Sequence, residues 1–322
     1  MKKSHLSFIF LFLLPTAEAL SKQEQELNIY SFRQQEIIAP VVSAFEQQTG
    51  IRVNVVHGKS HYLLSRLAED GVRSHADVLL TSDLAQLNHA HDLLQPFEYF
   101  EQLTELNPDL YDQQRYWVSV SIRGRALFSS ADTRLPIPQS FSQLSKPMYQ
   151  GQFCIRDWQH SYNTTLIRTL KATQNADDIA WLQSKDSLLA KRPSGGDRDQ
   201  LKALAQGKCQ FAFANHYYFE MLKASDNKKD QKVTSQLTLH WLKTSQGSTP
   251  VSTTTVAITR HSPNVESANR FVQFLLTETT QQTYAESLFE FPVIHSKQGQ
   301  FTQQYSPFIP ALDLIKPALL FK

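Results

Sequence analysis

The stretch Leu27-Asn28-Ile29-Tyr30-Ser31, followed by 36–48 and by Ile51-Arg52-Val53-Asn54-Val55-Val56, decides the fold. The first segment reads as a short strand. Over 36–48, Ile37, Ile38, Val41, Val42 and Phe45 fall on one helical face, and Gly50 is a natural stop. Ile51, Val53 and Val55 then alternate as a second strand. A helix over 62–69 and a strand over 76–80 complete a β-α-β-α-β unit. Such alternation predicts a parallel sheet with helices on both faces.

Working outward, 116–129 is another apolar, strand-like stretch, after which the pattern restarts. It reads as a crossover into a second lobe. There we expect a loop and helix around 140–144, a strand over 151–156, and helices over 162–173, 179–190 and 201–206. A further strand ends at Tyr217-Tyr218. The polar residues 227–234 read as a loop, 237–242 as a strand, and 253–258 as the return to the first lobe. Ser262-Pro263 occupies N-cap and first-turn positions for a helix carrying Phe271, Phe274, Leu275 and Tyr284. The expected fold class is therefore α/β in two lobes, each a mainly parallel sheet flanked by helices. Residues 27–118 with 250–292 form lobe 1, and 119–249 with 293–322 form lobe 2. A chain that crosses repeatedly between lobes encloses a hinged cleft, and hinge closure around a ligand is the expected motion.

Lys2 and Lys3, the apolar run from Leu6 to Leu14 and the small-x-small site Ala17-Glu18-Ala19 read as an export signal over 1–19. Its removal takes away Lys2, Lys3 and Glu18 and lowers the formal net charge of +2 by one. No later stretch is long and apolar enough to span a bilayer, and no cysteine near the cleavage site suggests a lipid anchor. The expectation is a near-neutral, soluble periplasmic monomer, with no basic block for nucleic acid or an anionic membrane. About 300 mature residues favour two domains. Cys154 and Cys209 are the cysteines. A disulfide and two buried thiols are both open readings, while a thiolate metal site lacks the Cys-x-x-Cys or Cys/His clustering it would need.

Tyr217-Tyr218 follows the apolar segment 210–216, at the end of an expected strand where open α/β sheets bind ligands. Neighbouring strand residues point to opposite faces, so both phenols converge only if the chain is already turning into a helix there. Phenolate is a hard anionic donor. A trivalent cation would favour ionising a group that ordinarily titrates near pH ~10, which points to ferric iron.

From Leu27 to Val293 the chain resembles the ferric-ion-binding proteins of bacterial ABC iron importers, within the periplasmic substrate-binding superfamily. The landmarks are Ile29-Tyr30-Ser31-Phe32-Arg33-Gln34, Thr49-Gly50-Ile51, Ser74-His75-Ala76-Asp77-Val78, Trp117 with Arg123 and Arg125, Arg156 with Tyr162-Asn163, and Asn215-His216-Tyr217-Tyr218. The resemblance implies a periplasmic-binding-protein fold, Tyr162, Tyr217 and Tyr218 as iron ligands, and delivery to an inner-membrane ABC permease. Tyr162 also stands where a helix is expected to begin, and helix N-termini favour negative charge.

Where many members carry a histidine after the first strand, this chain has Gln34-Gln35; where some carry a glutamate after the third, it has Ser82 with Asp83 beside it. It looks like the branch with a Tyr-x-x-Arg-Gln pattern, in which three tyrosines and a bound carbonate complete the site. Charge counting agrees, since three phenolates neutralise Fe³⁺ but leave its coordination incomplete. A bidentate carbonate would add two oxygens. Arg33 and Arg123 are the expected anion partners, because a planar guanidinium matches an oxyanion. Gln34 and Asn163 are expected to add neutral hydrogen bonds. Asp83 is the alternative direct ligand, and His216 is expected to face away from the metal.

Two other functions are compatible with the chain's composition. The same fold with an aromatic cage would hold an organic cation, or it would bind a free oxyanion. The 11 histidines and many serines leave an exported hydrolase open by composition, but the sequence carries neither a Gly-x-Ser-x-Gly elbow nor a His-Glu-x-x-His motif. A non-catalytic receptor is the expected class.

Overall fold

The computed structural model describes residues 25–88, 90–294 and 304–316. The export-signal reading of 1–19 lies outside them. The opening unit forms as expected. Strand β1 (Glu26–Ser31), helix α1 (Gln35–Thr49), strand β2 (Arg52–His57), helix α2 (Ser60–Asp70) and strand β3 (Val78–Leu80) follow in order. Gly50 ends α1 in the left-handed conformation (φ 73°) with its N–H on the Glu46 carbonyl. Both β2 and β3 pair parallel with β1. Asp77 locks this unit: its Oδ2 accepts from the Asn28 backbone N–H at 2.7 Å, and its Oδ1 accepts from the Ser262 hydroxyl at 2.6 Å.

After the short β4 (Leu94–Gln95), strand β5 (Val118–Ser130) makes the crossover. Its residues from Val118 to Gly124 pair antiparallel with β9 (Val251–Thr259), and those from Arg125 to Ser129 pair antiparallel with β7 (Phe211–Asn215). The seam between the two lobes thus falls between Gly124 and Arg125 of one continuous strand. In the second lobe β6 (Phe153–Cys154) pairs parallel with β7, and β8 (Leu237–His240) pairs antiparallel with β5. Helices α3 (Ser161–Ala172), the short α4 (Ala176–Ile179), α5 (Asp197–Ala205), α6 (His216–Lys223) and α7 (Lys228–Thr234) belong to this lobe. Helices α8 (Val265–Leu275) and α9 (Glu278–Glu286) return to the first.

Each lobe has its own apolar interior. The first core gathers Leu27, Phe45, Val118, Ile122, Phe271 and Val293. In the second lobe period-two alternation sorts the strands onto two faces: Leu127, Phe211 and Phe213 pack against Phe141 and Trp181, whereas Ala126, Phe128 and Ala212 pack against Leu201, Leu204 and Leu222. Cys154 and Cys209 form a disulfide on this second face, with Cα atoms 5.8 Å apart.

Several details differ from expectation. The two-lobed α/β class holds, but the sheets are mixed rather than mainly parallel, because β5 and β9 carry the chain out of and back into the first lobe in opposite senses. Residues 228–234 are helical, not a loop. The Asn227 side chain caps the Lys229 N–H at 3.0 Å and Lys202 pairs with Asp230 at 2.8 Å, so polar contacts replace the missing apolar stripe. The helix expected beyond Pro263 is two helices, broken where Thr277 caps α9. Within 179–190 the chain forms a 3-10 segment kinked at Ser184. Tyr305 and Ile315 pack into the first core, as do Val293 and Ile294, where the tail was expected to join lobe 2.

Candidate metal centre

Two helix starts bring the three tyrosines together. Tyr162 lies in the first turn of α3, and Tyr217 and Tyr218 lie in the first turn of α6, which begins directly after β7. This is the strand-to-helix turn that convergence requires. The Tyr162 and Tyr217 phenol oxygens stand 3.2 Å apart, and the rings of Tyr217 and Tyr218 are 4.1 Å apart between centroids. All three line a cleft of about 620 Å³ together with Gln34 and Ser82 of the first lobe. A contiguous chamber of about 980 Å³ shares Gln34, His57, Arg156 and Tyr218 with it.

Burial and the neighbouring phenols push Tyr217 well above the ordinary tyrosine value, and burial with Tyr162 does the same to Tyr218. Without a cation these two phenols therefore hold their protons. Guanidinium groups lie against two of the three rings: Arg156 is 5.1 Å and Arg123 5.8 Å from the Tyr162 ring centre, and Arg198 is 5.5 Å from that of Tyr218. Among the described residues no group of three or more His, Cys, Asp or Glu side chains could hold a metal. A metal reading of this cleft therefore rests on phenol oxygens.

The four residues expected to hold an anion separate on inspection. Arg123 is fully buried; Nη2 donates to the Ser82 carbonyl, while Nε and Nη1 have no hydrogen-bond partner among the described residues. Gln34 is exposed and lines the cleft. Arg33, by contrast, forms a buried two-pronged pair with Glu290 and donates from Nη1 to Thr254 at 2.6 Å. Burial alone would raise the Glu290 carboxyl, but Arg33 and Arg123 outweigh it and hold it below its ordinary value. One carboxylate thus faces two guanidinium groups, and Arg33 also lines the cleft beside the tyrosines. Asn163 is also committed. Its Nδ2 donates to the Arg156 and Asp157 carbonyls at 3.0 Å each, its Oδ1 accepts from Arg125, and its backbone N–H bonds the His160 carbonyl. It is a scaffold residue, because both of its side-chain polar atoms and its backbone N–H are engaged.

Asp83 faces a different, small cavity beside Thr165 and Arg168, so the neighbouring Ser82 is what the cleft presents. His216 is buried and faces away, accepting the Gly124 N–H on Nδ1 at 3.2 Å and stacking on Phe291. Burial lowers its pKa to about 3. The cleft also presents residues that sequence reasoning missed: Lys59, His61 and His160 near the tyrosines, and Arg198 in the outer chamber. Lys59 and His61 directly follow the end of β2, a position where α/β sheets commonly present ligand contacts, and that signal was available. Glu290 had no comparable signal, being 257 residues from Arg33.

Residues 41–306 match the family described as bacterial extracellular solute-binding protein. Iron uptake protein A1 of Synechocystis sp. is 28% identical over 305 residues, spanning 92% of this chain and 85% of that one. Among solved structures, the ferric binding protein from Campylobacter jejuni superposes with a TM-score of 0.84 at 28% identity, covering 91% of this chain and 95% of that one. A Trichodesmium protein solved with iron and citrate ligands gives 0.80 at 25% identity, over 92% and 100%. With two separate cores joined at a strand seam and a cleft where the lobes meet, this chain belongs to the bacterial extracellular solute-binding protein family.

Proposed function

We propose that this protein is a periplasmic receptor that captures ferric iron on Tyr162, Tyr217 and Tyr218 and delivers it to an inner-membrane ABC permease. The observation that carries the reading is the convergence of buried phenol oxygens from two helix starts, 3.2 Å apart at Tyr162 and Tyr217. Hard oxygen donors suit a trivalent ion, and three phenolates would neutralise it. The similarity to proteins whose names specify iron uptake and ferric binding supports the same cargo.

Nε and Nη1 of Arg123 behind Tyr162, unpartnered among the described residues, support an oxyanion completing the coordination, with cleft-lining Arg33 as a second charge and Gln34 as a neutral donor. Carbonate is a small bidentate dianion that would serve, and citrate, present with iron in the Trichodesmium neighbour, is the anion to test beside it. An organic cation is disfavoured, because guanidinium groups already lie against the Tyr162 and Tyr218 rings. Binding, closure and release require no catalytic step, and the protein acts as a monomer.

Because Tyr217 and Tyr218 are protonated without a cation, iron binding releases protons, and affinity rises with pH. Acidification therefore favours release. Adding ferric citrate to the metal-free protein in bicarbonate buffer should produce a tyrosinate-to-iron charge-transfer band. Tyr→Phe at 162, 217 or 218 should weaken binding and leave the circular dichroism spectrum unchanged. A colourless protein, or Phe variants that bind as the parent does, would sink the proposal.

A further inference from the structure

Tyr162 and Tyr217 reach the site on helices from separate parts of the chain, and one buried guanidinium touches the start of both. Arg125 Nη2 donates to Asn163 Oδ1 at 2.7 Å, beside Tyr162 in α3. Its Nη1 donates at 3.2 Å to Oδ1 of Asn215, the N-cap of α6, and at 2.6 Å to Asp197 Oδ2. Asp197 opens α5 and closes the figure by accepting the Asn215 backbone N–H at 2.7 Å. Arg125, Asn163, Asp197 and Asn215 are each no more than 3% exposed.

A buried ion pair is weak evidence for stability, because desolvation offsets most of the attraction. What this one does supply is geometry. A planar fork with two occupied nitrogens fixes the direction of both its partners, which a flexible ammonium does not. We propose that Arg125, with Asp197 as its counter-charge, is a positioning residue for the three-phenol site. It sets the spacing and aim of Tyr162 against Tyr217 and Tyr218 before the cation arrives, and it does so without touching the cation. Arg125 is also the first residue of β5 paired with the second-lobe sheet, so the phenols are referenced to the strand that joins the lobes. This inference rests on the ferric reading above.

The test uses the full chain and ferric citrate in bicarbonate buffer, comparing Arg125→Lys and Asp197→Asn with a disulfide-free control, Cys154→Ala with Cys209→Ala. The control weakens the second lobe without touching the fork. Arg125→Lys keeps the buried charge but loses the double attachment. We expect both fork variants to fold, to bind iron about 10- to 100-fold more weakly, and to shift the charge-transfer band and the electron paramagnetic resonance signal. The control should keep the parent band and affinity. Parent-like affinity and spectra in both fork variants would overturn the proposal. Equal losses in the control would do so too, as would a failure of both fork variants to fold, because either assigns the network to the fold as a whole. A parent chain with no band refutes the ferric reading itself, and this inference with it.

Discussion

Gly124→Ala tests the seam between the lobes. An added Cβ would sit 2.5 Å from Cζ3 and 2.9 Å from Cη2 of Trp241, and 3.0 Å from Cε2 of Phe308. Ordinary carbon contacts are about 3.5–4.0 Å, so the indole or the strand must move by roughly 1 Å. The indole is not free to yield. Its Nε1 donates to the Tyr305 carbonyl at 2.9 Å, and its ring lies against Phe308 with centroids 4.3 Å apart. Overpacking of this kind costs about 1–3 kcal/mol, partly offset by the roughly 0.4–1 kcal/mol that Gly→Ala gains through the unfolded chain. The net expectation is a loss of about 1–2 kcal/mol, or a Tm lower by roughly 2–3 °C for a chain of this size. Thermal and urea unfolding followed by circular dichroism would read it. In a double-mutant cycle, Trp241→Phe removes the clashing edge and should recover most of the loss. A Gly124→Ala protein as stable as the parent, with no coupling to Trp241→Phe, would refute the close-approach argument.

Glu290→Gln leaves Arg33 and Arg123 buried without their counter-charge and should cost about 3–5 kcal/mol in urea unfolding. The same carboxylate predicts an acid dependence. Its folded pKa is depressed, so its contribution is complete above the unfolded value of 4.5 and is lost as pH falls through the folded one. The parent should therefore weaken below about pH 4.5 with a component that Glu290→Gln lacks. Removing the Cys154–Cys209 disulfide, which spans 55 residues, should cost about 4 kcal/mol and is checked by comparing unfolding midpoints with and without reductant. Iron should shrink the radius of gyration in solution scattering if lobe closure accompanies binding. Identical metal-free and iron-loaded profiles would argue for a site already formed.

Local patterns were legible where one face of an element is buried. Phe45 on α1 and the alternation along β2 gave their elements because each signal lies within a single turn or pleat. The tyrosine pair was legible for the same reason, being adjacent in sequence and fixed by one strand end. Long-range charge pairing was not. Arg33 and Asn163 have the chemistry an anion would want, yet Glu290, Arg125 and the 156–157 backbone also hold them, and only the folded chain reveals those partners. Helix α7 was missed because its anchors are a cap and an ion pair, which leave no periodic apolar trace.

The position of β9 has a temporal consequence. It lies between β3 and β5 in the first sheet, yet it is made of residues 251–259. As the chain emerges from its N-terminus, β1, β2 and β3 can pair among themselves, but the gap beside β5 stays open until most of the polypeptide has appeared. The second lobe draws its two apolar faces from residues 126–242, a single uninterrupted stretch. It can therefore close and form its disulfide while the first lobe still shows two unpaired strand edges. The late arrival of β9 then seals those edges and joins the lobes in one step, making the last quarter of the chain the part on which protection from aggregation depends.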